Sequence, residues 1–142
     1  MKAHLTRRYI FSASHRLHSD ELSDSENFAI YGKCNNPYGH GHNYALEVTV
    51  SGQVNPQTGM ICNLVELDDV VRREVLDRFD HENLNLCQEF AAAAPTTENL
   101  SEIIFNVLKQ SFTTSHLEKV RLEETMMNSF EYSGSVDRER HQ

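Results

Sequence analysis

The chain has 142 residues, 39% of them hydrophobic and 24% charged, with 13 lysines and arginines against 21 aspartates and glutamates for a formal net charge of −8. That length suits one domain with its own core, and an acidic balance unbroken by any Lys/Arg-rich stretch argues against nucleic acid or an anionic membrane as partner. No apolar run approaches the ~18 residues of a membrane span, and Met1-Lys2-Ala3-His4 leads straight into strand-like alternation, so a cytoplasmic protein without an export signal is expected.

In chain order, Thr6 to Ser14 reads as a strand with Tyr9, Phe11 and Ala13 in one phase. Ser23 with Glu26 is a capping box opening a short helix that Gly32 can end. Gly32 to Asn43 is turn-rich by composition, and Tyr44 to Ser51 alternates cleanly, with Tyr44, Leu46, Val48 and Val50 on one face. A turn at residues 55–59 and a return strand over Met60 to Cys62 make residues 44–62 a hairpin. Asn63 with Glu66 starts a second helix, whose Leu64, Leu67, Val71 and Val75 recur at helical spacing up to about Phe79. Asp80 to Pro95 is irregular. Thr96 or Thr97 then caps a third helix with a stripe of Leu100, Ile103/Ile104, Val107/Leu108 and Phe112. Val120 to Thr125 and Ser129 to Tyr132 close as strands. The order predicts an α+β domain over residues 1–134, with helices on one face of an antiparallel sheet, followed by a polar tail at residues 135–142.

Histidine is the unusual residue, with eight in the chain. In extended backbone the side chains of His40 and His42 point to the same side and can reach one metal ion. His15 ends the first strand in phase with Phe11 and Ala13, on the inward face. Three imidazoles with no obligatory fourth ligand suit a catalytic zinc, though two histidines in a loop can also be unrelated. Cys34 lies six residues before His40; it reads as a metal-activated thiolate, as a small buried hydrophobe, or as a fourth ligand closing a structural site. Cys62 and Cys87 read as packing residues. All three cysteines are expected to be reduced thiols. Asp80-His81 can form a carboxylate-oriented imidazole or simply finish the second helix. Glu124 shares the parity of Val120 and Leu122, so it sits past the core's end or lines a pocket where it grips a polar ligand. Thr96-Thr97-Glu98 is capping sequence whose free N–H groups also suit a ligand.

The stretches FSASHRL (11–17), LSDSEN (22–27), GKCNNPYGHGHNY (32–44), TGMICNL (58–64), FDHENL (79–84), PTTEN (95–99) and EET (123–125) together resemble the 6-pyruvoyl-tetrahydropterin synthase family. The resemblance spans nearly the whole chain in order. It implies the tunnelling fold, a four-stranded antiparallel sheet with two main helices on one face, assembled as trimeric barrels that stack into a homohexamer. It implies zinc held by His15, His40 and His42, with Cys34 as the proton-abstracting thiolate. Asp80 and His81 would be the relay, donated by a neighbouring subunit. Glu124 would read the pterin ring, with Thr96, Thr97 and Glu98 nearby. The implied reaction is loss of triphosphate from 7,8-dihydroneopterin triphosphate, with an internal redox rearrangement of its side chain that needs no redox cofactor. Arg7, Arg8, Arg16 and Lys33 are candidates for the triphosphate. At the end of the chain, Met126-Met127-Asn128 departs from the family's more polar pattern.

Three other readings compete. 6-Carboxytetrahydropterin synthase of the queuosine pathway shares the apparatus and the substrate, but its Cys-to-His-x-His loop is usually shorter than the gap Asn35 to Gly39. A cupin-type metal enzyme is suggested by His40-x-His42-x4-Glu47, although strand phase turns Glu47 away and the helices fit a jelly roll poorly. A non-catalytic zinc module built from Cys34, His15, His40 and His42 would serve assembly alone.

Overall fold

The computed structural model describes residues 1–112 and 115–135, so the expected polar tail lies outside the described residues from residue 136 onward. Strand β1 (Lys2–His15) pairs antiparallel with β2 (His40–Gln53) along the full length of both, from Lys2 opposite Gln53 to His15 opposite His40. The pairing overrides two sequence expectations. Residues His40 to Asn43 are strand, not loop, because the far end of β1 hydrogen-bonds them into the ladder. The other edge of β2 pairs with β4 (His116–Thr125), leaving no edge for a return strand, and Met60 to Cys62 form an irregular approach to the next helix instead.

The sheet is completed by β5 (Asn128–Tyr132), antiparallel to β4, and by β3 (Glu82–Asn83), parallel to β1. Its order is β3-β1-β2-β4-β5. The expected four-stranded antiparallel sheet is therefore a five-stranded mixed one. The extra strand is two residues long and too short to carry an alternation pattern.

Helix α1 (Asp24–Tyr31) starts at the capping box: the Ser23 side chain accepts from the Glu26 amide, and Glu26 accepts in return from the Ser23 amide. Helix α2 starts at Leu64–Val71, capped by Asn63, widens through a π turn at Arg72–Leu76 and closes with Asp77–Phe79. Helix α3 (Thr97–Lys109) is capped by Thr96, whose hydroxyl accepts from the Asn99 amide. α2 contributes Leu67, Val71, Val75 and Phe79 to the core, and α3 contributes Leu100, Ile104, Phe105 and Leu108. They meet Phe11, Tyr44, Leu46, Val48, Val50, Val120 and Leu122 of the sheet. At roughly 1.5–3 kcal/mol per buried large apolar side chain, this face is what anchors the strands in register.

The opposite face of the sheet is polar and cross-linked. Thr6 bonds Thr49 at 2.7 Å, Ser51 donates to Glu118 at 2.6 Å, and Arg121 donates to Glu47 at 2.6 Å. Glu47 thus lies on the face away from His42, as strand phase predicts, and the cupin-type triad does not form. No helix among the described residues is long and apolar enough to cross a membrane.

Candidate metal centre and active site

Register alone brings the histidines together. His15 is the direct cross-strand partner of His40, and Ala13 is that of His42. All the imidazoles therefore project from the helix-covered face at one end of the sheet, in line with Tyr44, which stacks on Phe11 with ring centroids 5.1 Å apart. Gly39 makes the turn into β2 possible. Its φ is 72°, and a Cβ there would lie 2.7 Å from the His15 carbonyl oxygen.

One donor atom from each of His15, Cys34, His40 and His42 lies within 4.8 Å of all the others. His40 Nε2 is 3.1 Å from Cys34 Sγ, and His42 Nε2 is 3.2 Å from His15 Nε2. Zinc bonds of about 2.0–2.3 Å at tetrahedral angles would place donors about 3.3–3.8 Å apart, so the set fits a tetrahedral cation after small shifts. The His15 ring is oriented from behind: its Nδ1 donates to the Pro95 carbonyl at 2.8 Å, which leaves the Nε2 lone pair facing the cluster. Burial holds the His15 and His42 imidazoles below their ordinary values, against the pull of the Glu124 carboxylate. Buried neutral imidazoles are the form that binds a metal.

Cys34 lies in a 3-10 turn at Gly32–Asn35 whose backbone is tied to the segment just after β1 by the Leu17 amide donating to the Cys34 carbonyl at 2.7 Å. Burial, and then the nearby Glu124, push its thiol above the ordinary value. That is opposite to the lowering a metal-activated thiolate needs. A cation among these donors is the group that would reverse it. The structure thus gathers Cys34 into the same cluster as the histidines, where the resemblance gave it a separate role.

Glu124 reaches the cluster from β4. Its Oε1 is 3.2 Å from His42 Nε2, and its Oε2 accepts from the Thr97 hydroxyl. The residues expected beside Glu124 separate here. Thr97 is buried against it, Thr96 is occupied in capping α3, and Glu98 is exposed on the first turn. Sequence reasoning missed two participants. The Pro95 carbonyl leaves no signal in a side-chain pattern. Tyr44 shares the phase of His40 and His42 and could have been read as the next residue of the same stripe. Its hydroxyl is buried with no hydrogen-bond partner among the described residues, at a cost of about 1–3 kcal/mol.

Asp80 and His81 stand apart from this cluster. Asp80 Oδ1 accepts from the Ser12 amide at 2.9 Å and pairs with His81 Nδ1 at 2.9 Å. His81 has a φ of 63°, a conformation non-glycine residues seldom adopt, and its amide donates to the Ser12 carbonyl. The pair is held against the outer edge of β1, and His81 lines a groove there together with Ser12, Ser14, His42, Asn43 and Asn83. Within this chain, no hydrogen bond or ion pair among the described residues joins it to the histidines. Of the basic candidates, Arg7 is engaged in a two-point pair with Asp68 and Arg8 faces Glu123. Arg16 and Lys33 line one surface groove with Asn35 and Asn36, next to the turn that carries Cys34.

The family model described as 6-pyruvoyl tetrahydropterin synthase matches residues 4–135. The chain is 46% identical over 134 residues to the 6-pyruvoyl tetrahydrobiopterin synthase of Drosophila melanogaster, covering 93% of this chain and 80% of that one. It is 44% identical over 134 residues to that of Homo sapiens, covering 94% and 92%. The solved structure of Caenorhabditis elegans 6-pyruvoyl tetrahydropterin synthase superposes with a TM-score of 0.86 at 42% identity, over 95% of this chain and 97% of that one.

Proposed function

This chain belongs to the 6-pyruvoyl tetrahydropterin synthase family, and we propose on that premise that it converts 7,8-dihydroneopterin triphosphate to 6-pyruvoyl tetrahydropterin, as a carbon–oxygen lyase of tetrahydrobiopterin biosynthesis. The observation that carries the reading is the Cys/His donor cluster with a buried carboxylate at its edge. His15, His40 and His42 would hold the zinc ion. Bound there, zinc supplies a Lewis acid to the substrate's side-chain oxygens.

The chain's own groups do the rest. Glu124, steadied by Thr97, accepts hydrogen bonds from the amide and amino N–H groups of the pterin ring, and its buried setting excludes water from that contact. Cys34 takes a proton from the side-chain carbon. Arg16 and Lys33 receive the triphosphate in the groove beside the Cys34 turn. Thr96 and Glu98 complete the edge of the ring site at the start of α3. Asp80 and His81 deliver a proton from the opposite side as a relay contributed by a neighbouring subunit. This role agrees with a dyad exposed at a sheet edge and unconnected to its own chain's histidines.

The assembly that would bring the dyad across is a trimeric barrel of the long antiparallel strands β1, β2, β4 and β5, stacked in pairs as a homohexamer. The catalytic unit is residues 1–134, the segment 135–142 is a polar tail, and the setting is the cytoplasm.

Mass-spectrometric identification of the product formed from 7,8-dihydroneopterin triphosphate tests the reading. A pyruvoyl product with release of triphosphate is expected. A carboxy product with acetaldehyde would assign the chain to queuosine-type chemistry with the same site. Release of neither product would remove the catalytic reading.

A further inference from the structure

Tyr44 and Glu124 each lie one step beyond the Ala45–Glu123 cross-strand pair, and the Glu124 carboxylate is near enough to act on the Tyr44 phenol. The Tyr44 hydroxyl is buried and donates to nothing among the described residues. Glu124 has Thr97 on one oxygen and His42 Nε2, at 3.2 Å, on the other. That contact conflicts with metal binding. An imidazole nitrogen has one in-plane direction, so His42 Nε2 cannot face the Glu124 oxygen and a cation together. The cation would be shared with His15 Nε2, which already lies 3.2 Å away. With a metal on His42, an oxygen of Glu124 would lose its partner, and among the described residues the one buried side-chain polar atom without a partner is the Tyr44 hydroxyl.

We propose that Tyr44 is a positioning residue for Glu124: with a cation on His42 Nε2, the carboxylate accepts the Tyr44 hydroxyl in place of the imidazole. Thr97 and Tyr44 then hold it from two sides, with its outward lone pairs free for the N–H donors of the substrate. The burial of Tyr44 and the nearness of Glu124 both push its phenol up, which keeps it a neutral donor throughout. The consequence for substrate rests on the function proposed above; the exchange of partners does not.

The test uses zinc alone as the probe, on full-length protein stripped by chelator and titrated against a competing indicator. Tyr44→Phe keeps the ring that stacks on Phe11 and removes one oxygen. Three results are expected. Tyr44→Phe weakens zinc binding at least fivefold. The same substitution made in a Glu124→Gln background changes zinc affinity by less than twofold, because the acceptor it served is already altered. Metal-free Tyr44→Phe melts no lower than the wild type, since it sheds an unpartnered hydroxyl. A zinc-induced shift in the tyrosine C–O infrared band, present in wild type and absent in Tyr44→Phe, gives the exchange a direct signature. Equal zinc affinity of Tyr44→Phe and wild type would overturn the proposal. So would a loss of the same size with and without Glu124, or a zinc-induced difference spectrum identical in the two proteins. None of these readouts needs a pterin, so a protein that made no pterin product could still pass or fail them.

Discussion

The molecule contains two carboxylate–imidazole pairs, and they could hardly be placed more differently. Glu124 and His42 have side chains 15% and 12% exposed, deep at the end of the core, whereas Asp80 and His81 are 36% and 82% exposed along the sheet edge. The buried pair is built from long strands locked in register, and its members have further duties, His42 in the donor cluster and Glu124 toward Thr97. The exposed pair is held by backbone contacts to Ser12 and by a residue in a left-handed conformation. An exposed pair so carefully fixed, at a cost in backbone strain of order 1–3 kcal/mol, agrees with the proposed relay to a site outside its own chain. The buried pair is joined to the donor cluster within the chain, whereas the exposed one has no hydrogen bond or ion pair to it among the described residues.

The comparison breaks most sharply at His42. Replacing it with alanine should cost at least about 100-fold in zinc affinity and abolish turnover, measured by metal analysis and triphosphate release. Next comes the exposed pair: Asp80→Asn or His81→Ala should lower kcat about 10²–10⁴-fold while zinc content stays at the wild-type level. If either of those substitutions stripped the metal, the two pairs would not be separate. Thr97→Val is smaller. Loss of one buried hydrogen bond to Glu124 should raise KM roughly five- to tenfold, equivalent to about 1–1.4 kcal/mol, with zinc unchanged.

The smallest effect is in pH. Burial lowers the folded-state value of His15 below the ordinary 6.5. Above that value both folded and unfolded chains carry it neutral, and the stability it contributes is fully present. As pH falls through 6.5 the unfolded chain takes up the proton first, so metal-free protein should lose stability progressively. Urea melts between pH 7.5 and 5 would show the decline, and His15→Asn should flatten it.

Much of this was legible in the sequence because the strands alternate. Phase placed His15 on the inward face, His40 and His42 on a common side and Glu124 in the parity of Val120 and Leu122, and the capping residues Ser23, Asn63 and Thr96 or Thr97 marked each helix start. What was not legible followed from partners distant in the chain. The extension of β2 back to His40 depends on the far end of β1, and the missing return strand at Met60 depends on β4 having claimed the edge. Asp68, engaged by both Arg7 and Tyr9, looked like any acidic residue on a helix. A local pattern cannot report that an edge is occupied, that a carbonyl such as Pro95 orients a ring, or that Cys34 folds back to within 3.1 Å of His40.

That last contact carries the main question, whether Cys34 holds the metal or works beside it. Cys34→Ala should be purified together with wild type, the bound zinc counted, and turnover of 7,8-dihydroneopterin triphosphate measured on the same samples. Zinc retained on His15, His40 and His42 with turnover reduced at least about 100-fold is the expected result. Zinc lost along with the thiol, and no turnover in the wild type, would mean a closed structural site and contradict the catalytic one.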